Sequence, residues 1–249
     1  VYDTAFAADL TVVEEANEFV ARKSKGEKLP IFTSCCPAWV KYAEQSYPQL
    51  LGNLSSCRSP QQMFGAIAKK RLPEQLKVDK KDLVVVSIMP CTAKKYECKR
   101  PEFTHDGIAD VDLALTTQEL GRMIKEAGID FDSLEPESMD LPMGFATGAG
   151  MIFGNSGGVS EAVLRYAADK FNIPVPESIV LQEVRGESGV REATLADGNL
   201  KMAVVHGIKN AQQLCDKILA GEAEYDIVEV MACPGGCTGG AGQPIVMNR

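Results

Sequence analysis

The chain has 249 residues, 45% of them hydrophobic, and a formal net charge of -8 at pH 7. This length and composition exclude a disordered chain and predict one large domain or two tightly joined lobes with a sizeable core. The negative charge and the scattered lysines argue against a nucleic-acid surface and against a basic membrane-binding face.

The amino end and the hydropathy of the chain indicate a soluble fragment. The sequence begins at Val1 without a methionine, so we expect a piece of a longer protein. It has no run of about 18 apolar residues, and its amino end lacks a basic segment followed by an apolar one. We expect a cytoplasmic protein, with the periplasm as the alternative, and neither nucleic acid nor membrane as a partner.

The first predicted element is an amphipathic helix over residues 11–23, opened by a capping box. Glu15, Glu18 and Arg22 form a polar stripe on it at spacings of three and four. Such a stripe suits a proton path if the carboxyls are partly buried, or else a solvated, salt-bridged helix face. Spacing alone favours the solvated face.

Three apolar runs predict buried strands, and each is followed at once by cysteine. They cover residues 29–32, 83–88 and 227–231. The middle run is so continuously apolar and β-branched that it predicts burial on both faces, as in a parallel sheet.

The other predicted elements follow from cap signals and apolar periodicity. Helices are predicted at 37–47, 60–72, 116–127, 159–171 and 208–219. Strands are predicted at 113–115, 179–184 and 201–205, and a surface turn at 185–189. The acidic, proline-containing stretch 128–143 predicts a surface segment.

Eight cysteines in a chain of this size do not indicate a disulfide framework, because the core needs no covalent support. Five of them follow the predicted strands: Cys35, Cys36, Cys91, Cys233 and Cys237. Ligands in open α/β sheets gather beyond the carboxyl ends of strands, so the three cysteine loops are predicted to converge. The remaining three are predicted to be small buried hydrophobes: Cys57, Cys98 and Cys215.

Zinc and an iron-sulfur cluster are the two candidates for a site of four thiolates. Structural zinc sites favour paired C-x2-C knuckles, whereas this chain has a vicinal pair, a lone cysteine and a C-x3-C turn, far apart in sequence. Loops from three distant strand ends suit a larger inorganic body, since each loop reaches a different corner. The spacing therefore favours an iron-sulfur cluster.

Residues 144–158 are rich in glycine and lead into a predicted helix. Such a loop can cradle phosphate, but no Gly-Lys-Ser/Thr follows, and no intact G-x-G-x-x-G with an acidic partner occurs. Close approach of the backbone to a bulky buried cofactor explains the glycines as well.

Three segments together resemble the catalytic, or H-cluster, domain of FeFe (iron-only) hydrogenases: TSCCPAW (33–39), MPCTAKKYE (89–97) and EVMACPGGC (229–237). The resemblance implies an α/β fold of two lobes, each a small, twisted, mostly parallel sheet flanked by helices. The cluster would lie in the cleft between the lobes. Residues 1–249 would form one catalytic domain, incomplete at both ends, with the lobe boundary within 116–155.

The resemblance also implies a cofactor, the H-cluster. In it a 4Fe-4S cubane is joined by one cysteine sulfur to a two-iron subsite that carries carbon monoxide, cyanide and a bridging dithiolate. Carried over to this sequence, the cubane ligands are Cys36, Cys91, Cys233 and Cys237, with Cys237 as the bridging residue.

Further roles follow from the same resemblance. Cys35 matches the proton-delivering thiol, and Lys94 matches the residue that balances the charge of a cyanide. The proton path to the surface would then run through Glu15, Ser55, Glu18 and Arg22. The residues packed around the two-iron subsite would be Met89, Met231, Ser59, Pro60 and Gln61.

The implied activity is the reversible reduction of protons to dihydrogen with electrons from ferredoxin or a similar carrier. Implied partners are upstream ferredoxin-like domains or subunits and the maturation proteins that insert the two-iron subsite. Two alternatives stay open: a non-catalytic relative acting in iron-sulfur cluster assembly, and a hydrogen sensor of low turnover. Family members carry segments before Val1 and after Arg249 that this sequence does not include, which leaves open whether the chain is active alone.

Overall fold

The structure is a computed structural model that describes residues 1–141, 144–171, 179–184, 189–195 and 200–244. Its α-helices are α1 (Ala5–Lys25), α2 (Pro37–Ser46), α3 (Pro60–Leu76), α4 (Lys94–Glu97), α5 (Thr117–Glu126), α6 (Gly148–Ile152), α7 (Gly158–Phe171) and α8 (Ile208–Ala220). Its strands are β1 (Ile31–Phe32), β2 (Val86–Met89), β3 (Thr104–His105), β4 (Ile108–Ala109), β5 (Leu113–Thr116), β6 (Gln182–Glu183), β7 (Val190–Leu195), β8 (Leu200–His206) and β9 (Ile227–Met231).

The largest sheet has five strands in the order β1-β9-β8-β7-β6. The pairs β1–β9 and β9–β8 are parallel, whereas β8–β7 and β7–β6 are antiparallel. Two smaller sheets pair β2 with β5 in parallel and β3 with β4 antiparallel. The α/β class predicted from the sequence is confirmed, although the main sheet has more antiparallel pairing than expected.

Helices cover both faces of the main sheet because its central strands are apolar on both sides. On one face, α1 and α7 pack against alternate side chains of the strands, such as Met202, Ile227 and Met231. On the other face, α2 and α8 pack against the intervening residues, such as Val228 and Val230. The β9 strand, which lies between β1 and β8, is buried at every position of this three-layer core.

The first helix begins earlier than predicted. It starts at Ala5, whose N–H donates to Asp3 Oδ1 at 2.8 Å. Thr11 is well inside the helix and its hydroxyl donates to the Ala7 carbonyl at 3.1 Å, so the predicted capping box at Thr11 is wrong. The capping box at Thr116 and Glu119, in contrast, is present as predicted.

The second cysteine-bearing strand differs from its prediction. It covers only Val86–Met89, and Val86 and Ile88 are 46% and 40% exposed, so burial on both faces is wrong. The reason is that this strand pairs with β5 alone in a two-stranded sheet, whose outer face the described residues leave open.

The second half of the chain also differs in detail. The predicted strand at 179–184 is reduced to Gln182–Glu183, and β7 was not predicted. The described part of the predicted surface segment, residues 128–141, is exposed throughout. Residues 142–143 and 185–188, which complete that segment and the predicted turn, lie outside the described ranges. Among the described helices, none has the length and apolar character that crossing a bilayer requires.

Candidate metal centre

Two of the three cysteine loops leave the main sheet side by side. Strands β1 and β9 are parallel neighbours, with Phe32 paired to Val228. Their carboxyl ends therefore point the same way, and the chain continues into Cys35–Cys36 from one and into Cys233 from the other. Cys36 is the N-cap of α2, which places its side chain at the helix start.

The third loop comes from the other parallel sheet and is attached by close backbone packing. Gly242 N–H donates to the Pro90 carbonyl at 3.0 Å. At Gly240 a Cβ would clash with the same oxygen, so no other residue fits there. The segment that follows Cys237 thus lies directly on the loop that carries Cys91.

The glycine-rich segment supports the last cysteine turn. Cys237 N–H donates to the Gly154 carbonyl at 2.7 Å, and Ser156 N–H donates to the Gly235 carbonyl at 3.1 Å. Gly236 has φ 90°, and a Cβ there would lie 2.6 Å from the Ser156 nitrogen. Of the two interpretations of these glycines, the structure favours close backbone approach, here to the turn between the two cysteines.

The loops bring four thiols into mutual electrostatic range. Cys237 interacts with Cys36, Cys91 and Cys233, and Cys91 interacts with Cys36. Burial raises the pKa of Cys237 to about 12, so this thiol would ionise only beside a compensating positive charge such as a metal supplies. Within the described residues, no three His, Cys, Asp or Glu side chains are arranged to hold a single metal ion. All eight cysteines are free in the structure.

Lys94 is buried close to Cys91 and Cys237 and is held by Glu97. Its ammonium group donates to Glu97 Oε1 at 3.0 Å and to the Cys35 carbonyl at 2.9 Å. Burial by itself would lower the pKa of Lys94, but Glu97 and the neighbouring thiols outweigh this and raise it. Lys94 is therefore a fixed positive charge next to the cysteine loops.

The residues predicted to surround the cofactor lie around the same centre. Met89 and Met231 are buried at the ends of their strands. Ser59 caps the helix that begins at Pro60, and its hydroxyl donates to Glu97 Oε2 at 2.8 Å. Gln61 donates to the same oxygen at 3.0 Å.

We expect Glu97→Gln to destabilise the protein by about 3 kcal/mol, because it leaves a buried ammonium without its counter-ion. The double variant Lys94→Met with Glu97→Gln should be less destabilised, since no unpaired charge is left. Glu102→Gln, which breaks a more exposed ion pair, is the matched control. Urea denaturation measures all three; a Glu97→Gln effect no larger than the control would contradict the assignment.

Cys35, the first residue of the vicinal pair, lies close to Glu15. Both side chains are buried, and they interact electrostatically. Burial raises the pKa of Cys35 well above its usual value, and the Glu15 carboxyl raises it further. Burial also raises the pKa of Glu15 to about 8, so this carboxyl is mostly neutral at pH 7. The Oε2 atom of Glu15 is buried without a hydrogen-bond partner in the described structure.

A continuous set of polar groups links Glu15 to the protein surface. Burial raises the pKa of Glu15, the nearby Ser55 hydroxyl lowers it, and that hydroxyl donates to Glu18 Oε2 at 3.2 Å. Arg22 Nη2 donates to Glu18 Oε1 at 2.5 Å, and its side chain is 15% exposed. The polar stripe on α1 is therefore a partly buried chain, and the solvated-face interpretation is wrong.

Two nearby residues were not predicted, Glu97 and Glu229, and the prediction that Cys57 is a small buried hydrophobe is wrong. Glu97 belongs to the MPCTAKKYE segment, three residues after Lys94, a helical spacing that could have suggested a pair. Glu229 is a single charge within the apolar run IVEVM, which is itself a signal of an unusual buried group. Cys57 Sγ lies 3.5 Å from Glu18 Oε2 rather than in an apolar core, unlike the buried Cys98 and Cys215.

We expect the cluster-free protein to lose stability as the pH rises from about 5 to about 8. The pKa of Glu15 is about 8 in the folded state against an ordinary 4.5, so between these values only the folded state holds the proton. Stability then falls with rising pH, by on the order of 5 kcal/mol for this group. Urea denaturation across this range should show the decrease, and Glu15→Gln should reduce it.

Comparison with protein families gives one match that covers nearly the whole chain. Residues 1–241 match the family described as iron only hydrogenase large subunit, C-terminal domain. The periplasmic Fe hydrogenase large subunit of Nitratidesulfovibrio vulgaris is 50% identical over 249 residues, which cover 98% of this chain and 59% of that protein. The cytosolic iron-sulfur assembly component 3 of Mus musculus is 37% identical over 257 residues, covering 98% of this chain and 54% of that protein.

A solved structure agrees with these relatives. A HydA structure that describes stepwise FeFe-hydrogenase H-cluster assembly has a TM-score of 0.87 and 42% identity, covering all of this chain and 71% of that one. The chain spans about half the length of the curated relatives it matches, from 43% to 59% among the hydrogenases. On the family match and these similarities, the chain belongs to the family formed by the C-terminal domains of iron-only hydrogenase large subunits.

Proposed function

We propose that this chain is the catalytic part of an FeFe-hydrogenase that interconverts protons and dihydrogen. The observation that carries the proposal is a fifth thiol, Cys35, buried between four converging cysteines and a chain of polar groups that reaches the surface. A site that only stores or transfers a cluster has no need of a buried proton path.

The donor set fits the H-cluster. Four thiols from three loops are the ligands that a 4Fe-4S cubane requires, and we assign them to Cys36, Cys91, Cys233 and Cys237. When bound, the cofactor supplies an iron centre that exchanges electrons with protons and dihydrogen. Lys94 would offset the negative charge of its cyanide ligands. The residues that would shield it from water are Met89, Met231, Ser59, Pro60 and Gln61.

The protein's own part in the reaction is to move protons. We assign Cys35 as the group that gives a proton toward the cofactor and takes the next one from Glu15. Glu15, neutral near pH 7, is suited to this exchange because its pKa of about 8 is close to the working pH. A proton from solvent would then reach Glu15 through Arg22, Glu18 and Ser55. In dihydrogen oxidation the proton would move in the opposite direction, from Glu15 to solvent.

Electrons would come from ferredoxin or a similar carrier, through ferredoxin-like domains or subunits outside this sequence. Maturation proteins would insert the two-iron subsite. We propose the cytoplasm as the compartment, because eight free thiols suit a reducing environment. One relative named above is periplasmic and another cytosolic by name, so the comparisons favour neither compartment.

A second candidate is a role in iron-sulfur cluster assembly, which the similarity to the mouse assembly component favours. The higher identity of the hydrogenase relative favours the enzyme. The two differ in the cofactor they hold, since an assembly protein has ordinary clusters and no two-iron subsite with diatomic ligands.

Infrared spectroscopy of the full-length, matured protein tests the proposal. We expect bands of metal-bound carbon monoxide and cyanide, together with dihydrogen evolution from a reduced one-electron donor. Full iron-sulfur content without those bands, and without dihydrogen, would establish the assembly role instead.

A further inference from the structure

A second buried carboxyl, Glu229, lies in the strand that leads to Cys233 and has no part in the path proposed above. Its side chain is 0% exposed. Strand alternation places it on the same face of β9 as Ile227 and Met231, which pack against α1 and α7. Glu15 is on α1, and the two carboxyls interact electrostatically across this interface.

The Glu229 carboxyl is fixed by the start of α7. Oε1 accepts from Gly157 N–H at 2.6 Å, and Oε2 accepts from Ser160 N–H at 2.9 Å. The Ser160 hydroxyl is close to the same carboxyl but completes no hydrogen bond in the described structure. Arg191 is a cation that acts on Glu229, and it is itself bonded to Ser156.

These contacts show that Glu229 caps the start of α7. A neutral side chain could also form such a cap, so capping alone does not explain a carboxyl at this position near the neutral Glu15. We propose that Glu229, buried in the layer between β9 and helices α1 and α7, is a positioning residue that adds to the effect of burial in keeping Glu15 protonated, an inference that rests on the proton path proposed above. A negative charge held in the core next to Glu15 favours the protonated form of that carboxyl. The relay would then stay loaded with a proton near neutral pH.

The two groups titrate in the same range. Burial raises the pKa of Glu229 to about 7, against the lowering effect of the Ser160 and Gly157 N–H groups. Glu229 therefore ionises first as the pH rises, and its charge then opposes the ionisation of Glu15. The other ionisable groups that act on this pair are Glu18, Cys35, Cys57 and Arg191.

Infrared titration of the full-length protein, purified from a host without maturation proteins, tests the inference. The absorption of buried protonated carboxyls should disappear in two steps, near pH 7 and pH 8. Glu15→Gln should remove the upper step. Glu229→Gln should remove the lower step and move the remaining one to lower pH by about one unit. An unmoved Glu15 step in folded Glu229→Gln protein would overturn the proposal.

Two further variants keep the result decisive. Glu161→Gln removes the same charge one residue from Ser160, but the Glu161 side chain is partly exposed. Solvent screens its charge, so both infrared titration steps should stay in place. If Glu229→Gln fails to fold, Arg191→Gln removes the cation that lowers the Glu229 pKa, and the lower step should move to higher pH. No movement in Arg191→Gln would also overturn the assignment.

The titration needs no cofactor, so it is independent of hydrogen turnover. Coupled steps in a protein that makes no dihydrogen after maturation would contradict the proposed function and leave the coupling intact. An enzyme that makes dihydrogen but whose Glu15 step does not move in Glu229→Gln would support the proposed function and contradict the coupling.

Discussion

Cys35→Ser is expected to lower hydrogen turnover by about 100-fold or more while leaving the iron content of the matured protein nearly unchanged. Cys35 is a buried thiol with Glu15 beside it, and it is not one of the four proposed cubane ligands. A serine hydroxyl fills nearly the same space but is far less acidic, so it would transfer protons poorly. Turnover with a reduced dye, together with iron analysis of the same sample, measures both effects.

The neighbouring cysteine supplies the matched control. Cys36 is the N-cap of α2 and a proposed cubane ligand, so Cys36→Ala should lose cluster iron as well as activity. The far-ultraviolet circular dichroism of both variants should match that of the unmodified protein. If Cys35→Ser lost its iron and Cys36→Ala retained it, the proposed roles of the two residues would be reversed.

Glu15→Gln is the second substitution for which we expect a loss of about 100-fold in turnover. Glutamine has nearly the same shape and can occupy the same buried place, but its amide cannot take up and release a proton. Because the cubane ligands are untouched, the infrared bands of the cofactor should be unchanged. Turnover measured across pH 5 to 9 separates this effect from a simple shift of the pH optimum.

Glu14→Gln is the control for the loss of a carboxylate on the same helix. Glu14 is adjacent in sequence but exposed, so its replacement should leave turnover within about twofold of the unmodified protein. Equal losses in the two variants would mean that the helix, rather than the Glu15 carboxyl, carries the effect. A fully active Glu15→Gln would remove Glu15 from the proposed path.

The local elements with clear chemical signals were predicted well. The proline-initiated helix at Pro37, the capping box at Thr116 and the apolar strand at Ile227–Met231 all form as the sequence indicates. Their causes are local: a fixed backbone angle, a reciprocal side-chain cap and a mostly apolar run. The start of α1 was predicted too late because the pattern Thr11-x-x-Glu14 fits a capping box but can also occur inside a helix, as it does here.

Longer-range features were harder to predict. Val86 and Ile88 are exposed because their strand pairs with only one other strand. Strand pairing cannot be predicted from the composition of the strand itself. The contact of Lys94 with the Cys35 carbonyl and the contact of Glu229 with the start of α7 also depend on tertiary structure, since the groups that meet are distant in sequence.

The sequence by itself determined the order and spacing of the five strand-end cysteines and, through them, the family resemblance, because loop residues and apolar runs are local properties. Only the tertiary structure decided that Glu15 is buried and mostly neutral, because its surroundings come from the pairing of β1 with β9 and the packing of α1 over that face. A carboxyl's proton affinity is set by solvent exclusion and neighbouring charge, and neither can be obtained from spacing along one helix.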